Sequence, residues 1–336
     1  MSVNKSALNQ KYRKYQEELI KRFWDFQQTR FQKEEELFER PFDLINPKRP
    51  PVFKREQGKN NVLVYEVWGD ETKESVRDMI PKEKWHRWFP SMTSSQALAQ
   101  SVFGNLKVMD KLGCLGELKG DEGRPLFIRD TGDFNKLKME HEITFLDEPR
   151  RTKIDVFLAG DYQVAVECKL SEKEVGTCSR PRLSKSDEQY CNGTYSVQDK
   201  RTERCALTQI GVKYWKYIPE FFSWDPKVDQ DPCPLNETYQ LVRNVLAAGL
   251  KPASNKDNSE DVKQTEGHTV LLYDERNPEF FEGGKGFAAW KKTKEGLKEG
   301  RRSMLQKCSW QQIILAMKSD PELSWVVNML HEKYGF

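Results

Sequence analysis

TKIDVFLAGDYQVAVECKL, Thr152 to Leu170, is the stretch on which the reading of the whole chain turns. It reads as two short strands joined by the turn Gly160-Asp161. On a strand, residues two apart share a face. Val164, Val166, Cys168 and Leu170 therefore make one apolar face, and Glu167 and Lys169 point the other way. In the first strand Ile154, Val156 and Leu158 are the apolar set, which leaves Asp155 on the opposite side. Antiparallel pairing across a tight turn can bring Asp155 beside Glu167. The expected result is two carboxylates and one ammonium on a single sheet face. The competing reading is a surface hairpin carrying a solvated ion pair, worth under about 1 kcal/mol. Against it stands the near-continuous apolar run VAVECKL, which suits a central strand, where a charge needs a reason.

Carboxylate oxygens placed this way suit a hard divalent cation, Mg²⁺ or Mn²⁺. The neighbouring ammonium can hold or deprotonate a water and offset charge on a phosphoryl oxygen. Ile154-Asp155, an eleven-residue gap and then Glu167-Cys168-Lys169 form a pattern that resembles the PD-(D/E)xK phosphodiesterase superfamily, the restriction-endonuclease-like nucleases. The likeness covers the core from about Ser91 to Asp274. It implies metal binding by Asp155, Glu167 and the main-chain carbonyl of Cys168, with Lys169 orienting or activating the attacking water. It also implies hydrolysis of DNA, a restriction-type role in prokaryotic defence, and a homodimer as one arrangement. The motif is short, and in a chain that is 32% charged it needs its setting of alternating strands to carry weight.

The 336 residues suffice for one large or two ordinary domains. With 37% hydrophobic and 11% aromatic residues the chain reads as globular rather than disordered. Its net charge of +3 comes from 55 basic and 52 acidic residues, so any surface for DNA must be local. No apolar run approaches a membrane span and the N-terminal residues carry no apolar signal region, so no membrane partner and a cytoplasmic location are expected. In that compartment seven cysteines read as thiols or ligands rather than disulfides.

Two parts are expected: a helical N-terminal segment with linker, residues 1–90, and the nuclease-like core, residues 91–336. Lys11 to Arg40 reads as a long amphipathic helix, with Pro41 starting its exit and Asn46 to Pro51 a stiff linker. Val62 to Val67 could be a strand, and Lys82 to Phe89 mixes cations with Trp85 and Trp88, suited either to nucleic acid or to packing. Ser91 to Met109 is a helix capped by Ser94 or Ser95; it carries Gln96 and Gln100 where some members of the superfamily have a further acidic ligand. Lys138 to Leu146 reads as the first strand of the sheet. Glu140 and Glu142 share a face there and either could supply a third carboxylate; Glu142 is the residue taken as the addition to the site. His268 to Asp274 is an apolar run expected to be a buried strand following a crossover helix, completing an α/β fold with a mixed central sheet flanked by helices.

Between them lies an inserted polar loop, residues 171–205, with Arg180 and Arg182 as candidate contacts to nucleic acid. Cys178, Cys191, Cys205 and Cys233 are candidates for Zn²⁺ or an iron–sulfur cluster, although gaps of 12, 13 and 27 residues are not the CxxC pairs of a strong signal. Cys205 to Tyr217 and Glu237 to Leu250 read as helices. Lys285 to Arg302 carries seven cations; among them Lys291, Lys292, Lys294, Arg301 and Arg302, with Trp290, make the best candidate phosphate-backbone surface. The chain closes in two helices, the first capped by Ser309 and the second started by Asp320-Pro321-Glu322. The reading from another class is a nucleic-acid-binding or assembly protein of the same fold that cleaves nothing, or a protein built around cysteine-bound metal.

Overall fold

The computed structural model describes residues 5–39, 48–120, 123, 125–127, 137–149, 151–199, 201–253 and 262–336. Pro41 and the Asn46-Pro47 part of the linker lie outside the described residues. The strands, in chain order, are β1 (Leu137–Ile143), β2 (Thr152–Leu158), β3 (Tyr162–Cys168), β4 (Leu250–Pro252), β5 (Val262–Gln264), β6 (Glu266–Tyr273) and β7 (Leu305–Ser309). Five of them form one sheet in the order β1-β2-β3-β6-β7, and β4 and β5 make a separate small ladder. β1, β2 and β3 are antiparallel neighbours, whereas β3, β6 and β7 run parallel. The sheet is thus mixed, and β3 sits at its centre with a partner of each kind.

Helices cover both faces. In chain order they are α1 (Lys5–Arg30), α2 (Asp70–Arg77), α3 (Ser95–Ala99), α4 (Asn105–Val108), α5 (Ala206–Gln209), α6 (Tyr214–Phe221), α7 (Leu235–Gly249), α8 (Lys285–Gly296), α9 (Trp310–Met317) and α10 (Ser324–Tyr334). A π turn, Gln100–Gly104, joins α3 to α4. One core gathers Val156, Leu158, Val164, Val166, Cys168 and Leu170 against aromatic and aliphatic side chains of α1, α3, α9 and α10. The second core, on the opposite face, gathers Phe157, Ala165, Leu271 and Tyr273 against α6, α7 and α8. The expected α/β architecture, with a mixed sheet flanked by helices and an N-terminal helix, is the one observed.

α1 is tied to the end of the sheet by buried polar bonds. The Tyr15 hydroxyl donates to Leu170 O at 2.8 Å and to Asp274 Oδ2 at 3.0 Å. Arg276 donates to both Asp274 oxygens, at 2.9 and 2.6 Å, and to the carbonyl of Tyr334 at the end of α10 at 2.8 Å. The charge of Asp274, buried just past the end of β6, is thereby paired and fully hydrogen-bonded, as burial demands.

Several elements differ from the sequence-based expectation. α1 stops at Arg30 rather than Arg40 and is followed by a 3₁₀ turn, Glu35–Leu37. Val62 to Val64 is buried but forms no strand: Leu63 donates to Ser101 Oγ at 2.9 Å and accepts from Asn105 Nδ2 at 2.8 Å. Side chains of the following helical segment take the bonds that a neighbouring strand would have supplied. Cys205 to Tyr217 is two helices, broken at Gly211, whose φ of +92° is open to glycine. β7 was not expected at all; LQKCS is short and mixed, without the alternation that marks a strand.

Candidate active site

The register brings the acidic residues together. Val156 pairs with Val166, so one further step sets Asp155 opposite Glu167. Met139 pairs with Val156 and His141 with Ile154, so Glu140 lies opposite Asp155 on the other side. Glu140, Asp155 and Glu167 therefore stand in a row across β1, β2 and β3. At this row the strands change face. Met139 and Val156 lie in the first core, whereas Ile143 and Ile154 lie in the second. Simple alternation would have kept each pair together, and the expectation that Ile154 shares a face with Val156 is corrected accordingly. The cause is visible at Glu140, which holds φ at +49°, a left-handed conformation that costs a non-glycine residue roughly 1–3 kcal/mol.

The side chains are anchored one by one. Asp155, half-buried, accepts from the Cys168 amide through Oδ2 at 2.7 Å. Glu167 is only 1% exposed. Its Oε2 accepts from Asn244 Nδ2 at 2.8 Å and lies 3.5 Å from the Arg243 guanidinium. Its Oε1 lies 2.7 Å from Lys169 Nζ, at ion-pair distance, yet receives no aligned hydrogen bond. Lys169 in turn approaches Gln240 Oε1 at 3.4 Å, and its own carbonyl accepts from Trp310 Nε1 at 2.9 Å. Three residues of α7, Gln240, Arg243 and Asn244, thus position the Glu167–Lys169 pair. None of the three was singled out from the sequence, although all lie in the helix expected over Glu237 to Leu250.

The charges of the cluster act on one another. Burial, then the Glu167 and Glu140 carboxylates, push the Asp155 carboxyl well above its ordinary value. Burial pushes Glu140 up to about 7, against the stabilising effects of a Gln96 hydrogen bond and of Lys153, with Glu167 adding repulsion. For Lys169, burial works to lower the pKa, but Glu167, Glu172 and Asp155 outweigh it and the amine is held as an ammonium. Three acids crowd one spot, answered at Glu167 by the Lys169 ammonium and the Arg243 guanidinium.

The remaining expected site residues fall elsewhere. Glu142 forms ion pairs with Arg151 at 3.2 Å and Lys84 at 3.4 Å, and this carboxyl is held below its ordinary value by them. Glu142, expected from the sequence as the third carboxylate, thus meets Arg151 and Lys84, while Glu140 is the β1 acid that lies opposite Asp155. The Cys168 thiol is buried in the first core, so only its main chain faces the acidic row. Trp85 is buried and stacks on Phe89 with ring centroids 4.4 Å apart, while Trp88 is exposed beneath Arg87. On α8, Lys291 pairs with Glu295 at 3.8 Å and Lys292 with Glu237 at 3.6 Å, and Lys294 lies over the Trp290 ring. Arg301 donates to Gln264, Arg302 lies in the 3₁₀ turn after α8, Arg180 donates to Gln189, and Arg182 donates to Thr177. In these contacts the cations of the α8 segment and those of the inserted loop share no partner. Cys178, Cys191, Cys205 and Cys233 come together around one cavity.

Among the described residues, no group of three or more His, Cys, Asp or Glu side chains could hold a metal ion in the positions they occupy, and no helix is long and apolar enough to cross a membrane. No curated protein and no solved structure matches the chain. Residues 8–335 match the model of a protein family described as restriction endonuclease associating with ARP, a nuclease-type family, and the chain belongs to that family.

Proposed function

We propose that the acidic row hydrolyses phosphodiester bonds in DNA in the presence of Mg²⁺ or Mn²⁺, as a restriction-type endonuclease. The observation that carries this reading is the placement of Glu140, Asp155 and Glu167 opposite one another on neighbouring strands, with Lys169 against Glu167. The donor set suits a divalent cation in its chemistry, and these side chains would have to turn toward the ion, since no three of them share an ion position as they stand. It is made of hard carboxylate oxygens, it contains a buried Glu167 oxygen with no aligned hydrogen bond, and its acids repel one another. Asp155 and Glu167 would hold the ion, with Glu140 replacing Glu142 as the third acid. When bound, such an ion supplies Lewis-acid polarisation of the phosphoryl oxygen and stabilises the leaving oxyanion.

The chain's own groups do the remaining work. Lys169, at ion-pair distance from Glu167, would orient or activate the attacking water and meet negative charge on the phosphoryl oxygens. Asn244 and Arg243 fix Glu167, Gln240 steadies Lys169, and the Cys168 amide fixes Asp155. A site on strands, braced by a helix, holds its geometry more tightly than one on loops. The family's description also motivates two finer proposals: a role in prokaryotic defence, and association with the partner that the description calls ARP. The test of the central reading is nicking of supercoiled plasmid with Mg²⁺ by the wild type, Asp155→Ala and Lys169→Ala. Activity is expected in the first alone; equal activity in all three removes the assignment.

A further inference from the structure

Residues 84–88, Lys-Trp-His-Arg-Trp, are fastened to the acidic row from several sides. The Lys84 ammonium lies 3.4 Å from Glu142 Oε1 and reaches the Glu140 carbonyl at 3.5 Å. The Lys84 carbonyl accepts from Lys153 Nζ of β2 at 3.2 Å and from Gln96 Nε2 at 3.3 Å. Gln96 Oε1 accepts from the His86 amide at 2.9 Å, and this side chain is near enough to Glu140 to favour its charged form. One residue earlier, the Ser95 hydroxyl donates to Glu172 Oε1 at 2.7 Å. Glu172 Oε2 accepts from the Leu170 amide at 2.6 Å, next to Lys169. The short helix α3 thus ties the segment to the end of β3, and Lys84 ties it to β1 and β2. His86 is close enough to Glu172 and Lys169 for both charges to act on its ring.

Trp85 roots this segment in the first core, and His86, Arg87 and Trp88 are left exposed. Of the nine tryptophans in the chain Trp88 alone is exposed, at 53%. Among the described residues its ring has one partner, the Arg87 guanidinium, 4.6 Å from the ring centroid. His86 Nδ1 accepts from the Trp88 amide at 3.4 Å, so the neutral ring carries its proton on Nε2, which bonds to no described residue. A guanidinium stacked on an indole offers a cation to a phosphate and an aromatic face to a base. In a paired duplex the base faces are stacked on one another, out of reach of an indole, whereas an unpaired base can stack on one. Residues 82–88 hold three cations, Lys82, Lys84 and Arg87, against the single acid Glu83, which suits a polyanion beside a row of carboxylates. A protein-binding core would need apolar neighbours around the Trp and Arg; the exposed neighbours here are Lys82, Glu83 and His86.

We propose that His86, Arg87 and Trp88 form a lip that receives the DNA strand to be cut. Trp88 stacks on an unpaired base beside the scissile phosphate, Arg87 meets a neighbouring phosphate, and His86 Nε2–H donates to a phosphate oxygen. The proposal rests on the nuclease reading and adds a substrate class to it: DNA with a locally unpaired stretch at the cut. Gln96 is the positioning residue, because it holds the main chain of Lys84 and His86 against the row. A base stacked on one aromatic ring contributes roughly a 10- to 100-fold gain in binding, so the effect is large enough to measure at a single residue.

The experiment is fluorescence anisotropy of the full chain with two labelled DNAs at low salt in a chelator. One is a fully paired duplex and the other the same duplex with a few unpaired nucleotides at its centre. The wild type should bind the interrupted duplex about 10-fold tighter or more. Trp88→Ala should erase that preference and leave binding to the paired duplex unchanged, whereas Trp88→Phe should keep most of it. Arg87→Ala should weaken binding to both DNAs and make the logarithmic salt dependence shallower by about one unit. Leu315→Ala, which removes an apolar side chain 67% exposed on α9, should behave as the wild type. A wild type that binds both DNAs alike or neither, or a Trp88→Ala protein that keeps the preference, overturns the proposal; unchanged binding in both variants would assign Trp88 and Arg87 to a protein surface. Nothing is cut in a chelator, so this result stands apart from the nicking test of the acidic row.

Discussion

Replacing Glu140 by Gln should make the protein more stable and less active at the same time. Glu140 is buried and its carboxyl is carried from an ordinary 4.5 to about 7, first by burial and then by the Glu167 charge. A displacement of that size corresponds to on the order of 3 kcal/mol of stability given up once the group is ionised. The sign follows from linkage. The folded-state value is raised for an acid, so the unfolded chain releases the proton first. The wild type therefore loses stability as pH rises from about 4.5 to about 7, and holds the full penalty above that. Glu140→Gln carries no such penalty. In urea unfolding with a chelator present, it should match the wild type near pH 4.5 and exceed it by about 3 kcal/mol at pH 8. Added Mg²⁺ should narrow the gap at pH 8, because a cation favours the charged acid in the wild type alone. Cleavage by the variant should fall roughly 10- to 100-fold. Stability curves that coincide at both pH values would show that Glu140 does not face its fellow acids as described, and the reasoning would fail.

Three further outcomes follow from the same geometry. Glu142→Ala should keep plasmid nicking within about twofold of wild type, since its partners are the surface cations Arg151 and Lys84; a loss like that of Asp155→Ala would return it to the site. Lys169→Met should abolish nicking and cost about 3 kcal/mol in chelator, because it leaves Glu167 buried with a weaker counter-charge, and Glu167→Gln in the same chain should recover most of that cost, as denaturant titration would show. Lys333, fully buried and held down to about 7 by burial alone, donates to Asn61 O and Oδ1 at 2.6 and 2.7 Å. Its depressed value means that the unfolded chain binds the proton more tightly. Stability should therefore rise between about pH 7 and pH 10, by up to roughly 1 kcal/mol per pH unit, and Lys333→Met should flatten that rise.

Much of this arrangement could be read from the chain before any coordinates. The alternation of Val164, Val166 and Cys168 against Glu167 and Lys169 reflects a period of two that a central strand obeys, and β3 obeys it throughout. Asp155 was legible because the short connection between Leu158 and Tyr162 allows few registers, although the observed pairing of Leu158 with Val164 needs more than a two-residue turn. Glu140 against Glu142 was not legible. Both lie on the same face of an ideal strand, and only the left-handed turn at Glu140 separates them; nothing in KMEHEI announces a positive φ. The contribution of α7 was hidden for a different reason. Gln240, Arg243 and Asn244 are ordinary polar residues of an amphipathic helix until the sheet that they face is known. The four cysteines were suspected from their number, but gaps of 12, 13 and 27 residues carry no geometry; only the fold of the inserted loop brings them to one cavity.

The central claim is that Asp155, Glu167 and Glu140 form one divalent-cation site with Lys169 beside it. Anomalous scattering from crystals soaked in Mn²⁺ tests it most directly. A peak between the Asp155 and Glu167 carboxylates, absent from Asp155→Asn crystals, is the predicted result. Mn²⁺ bound only elsewhere, with Glu167 still turned onto Lys169 and Asn244, would contradict it.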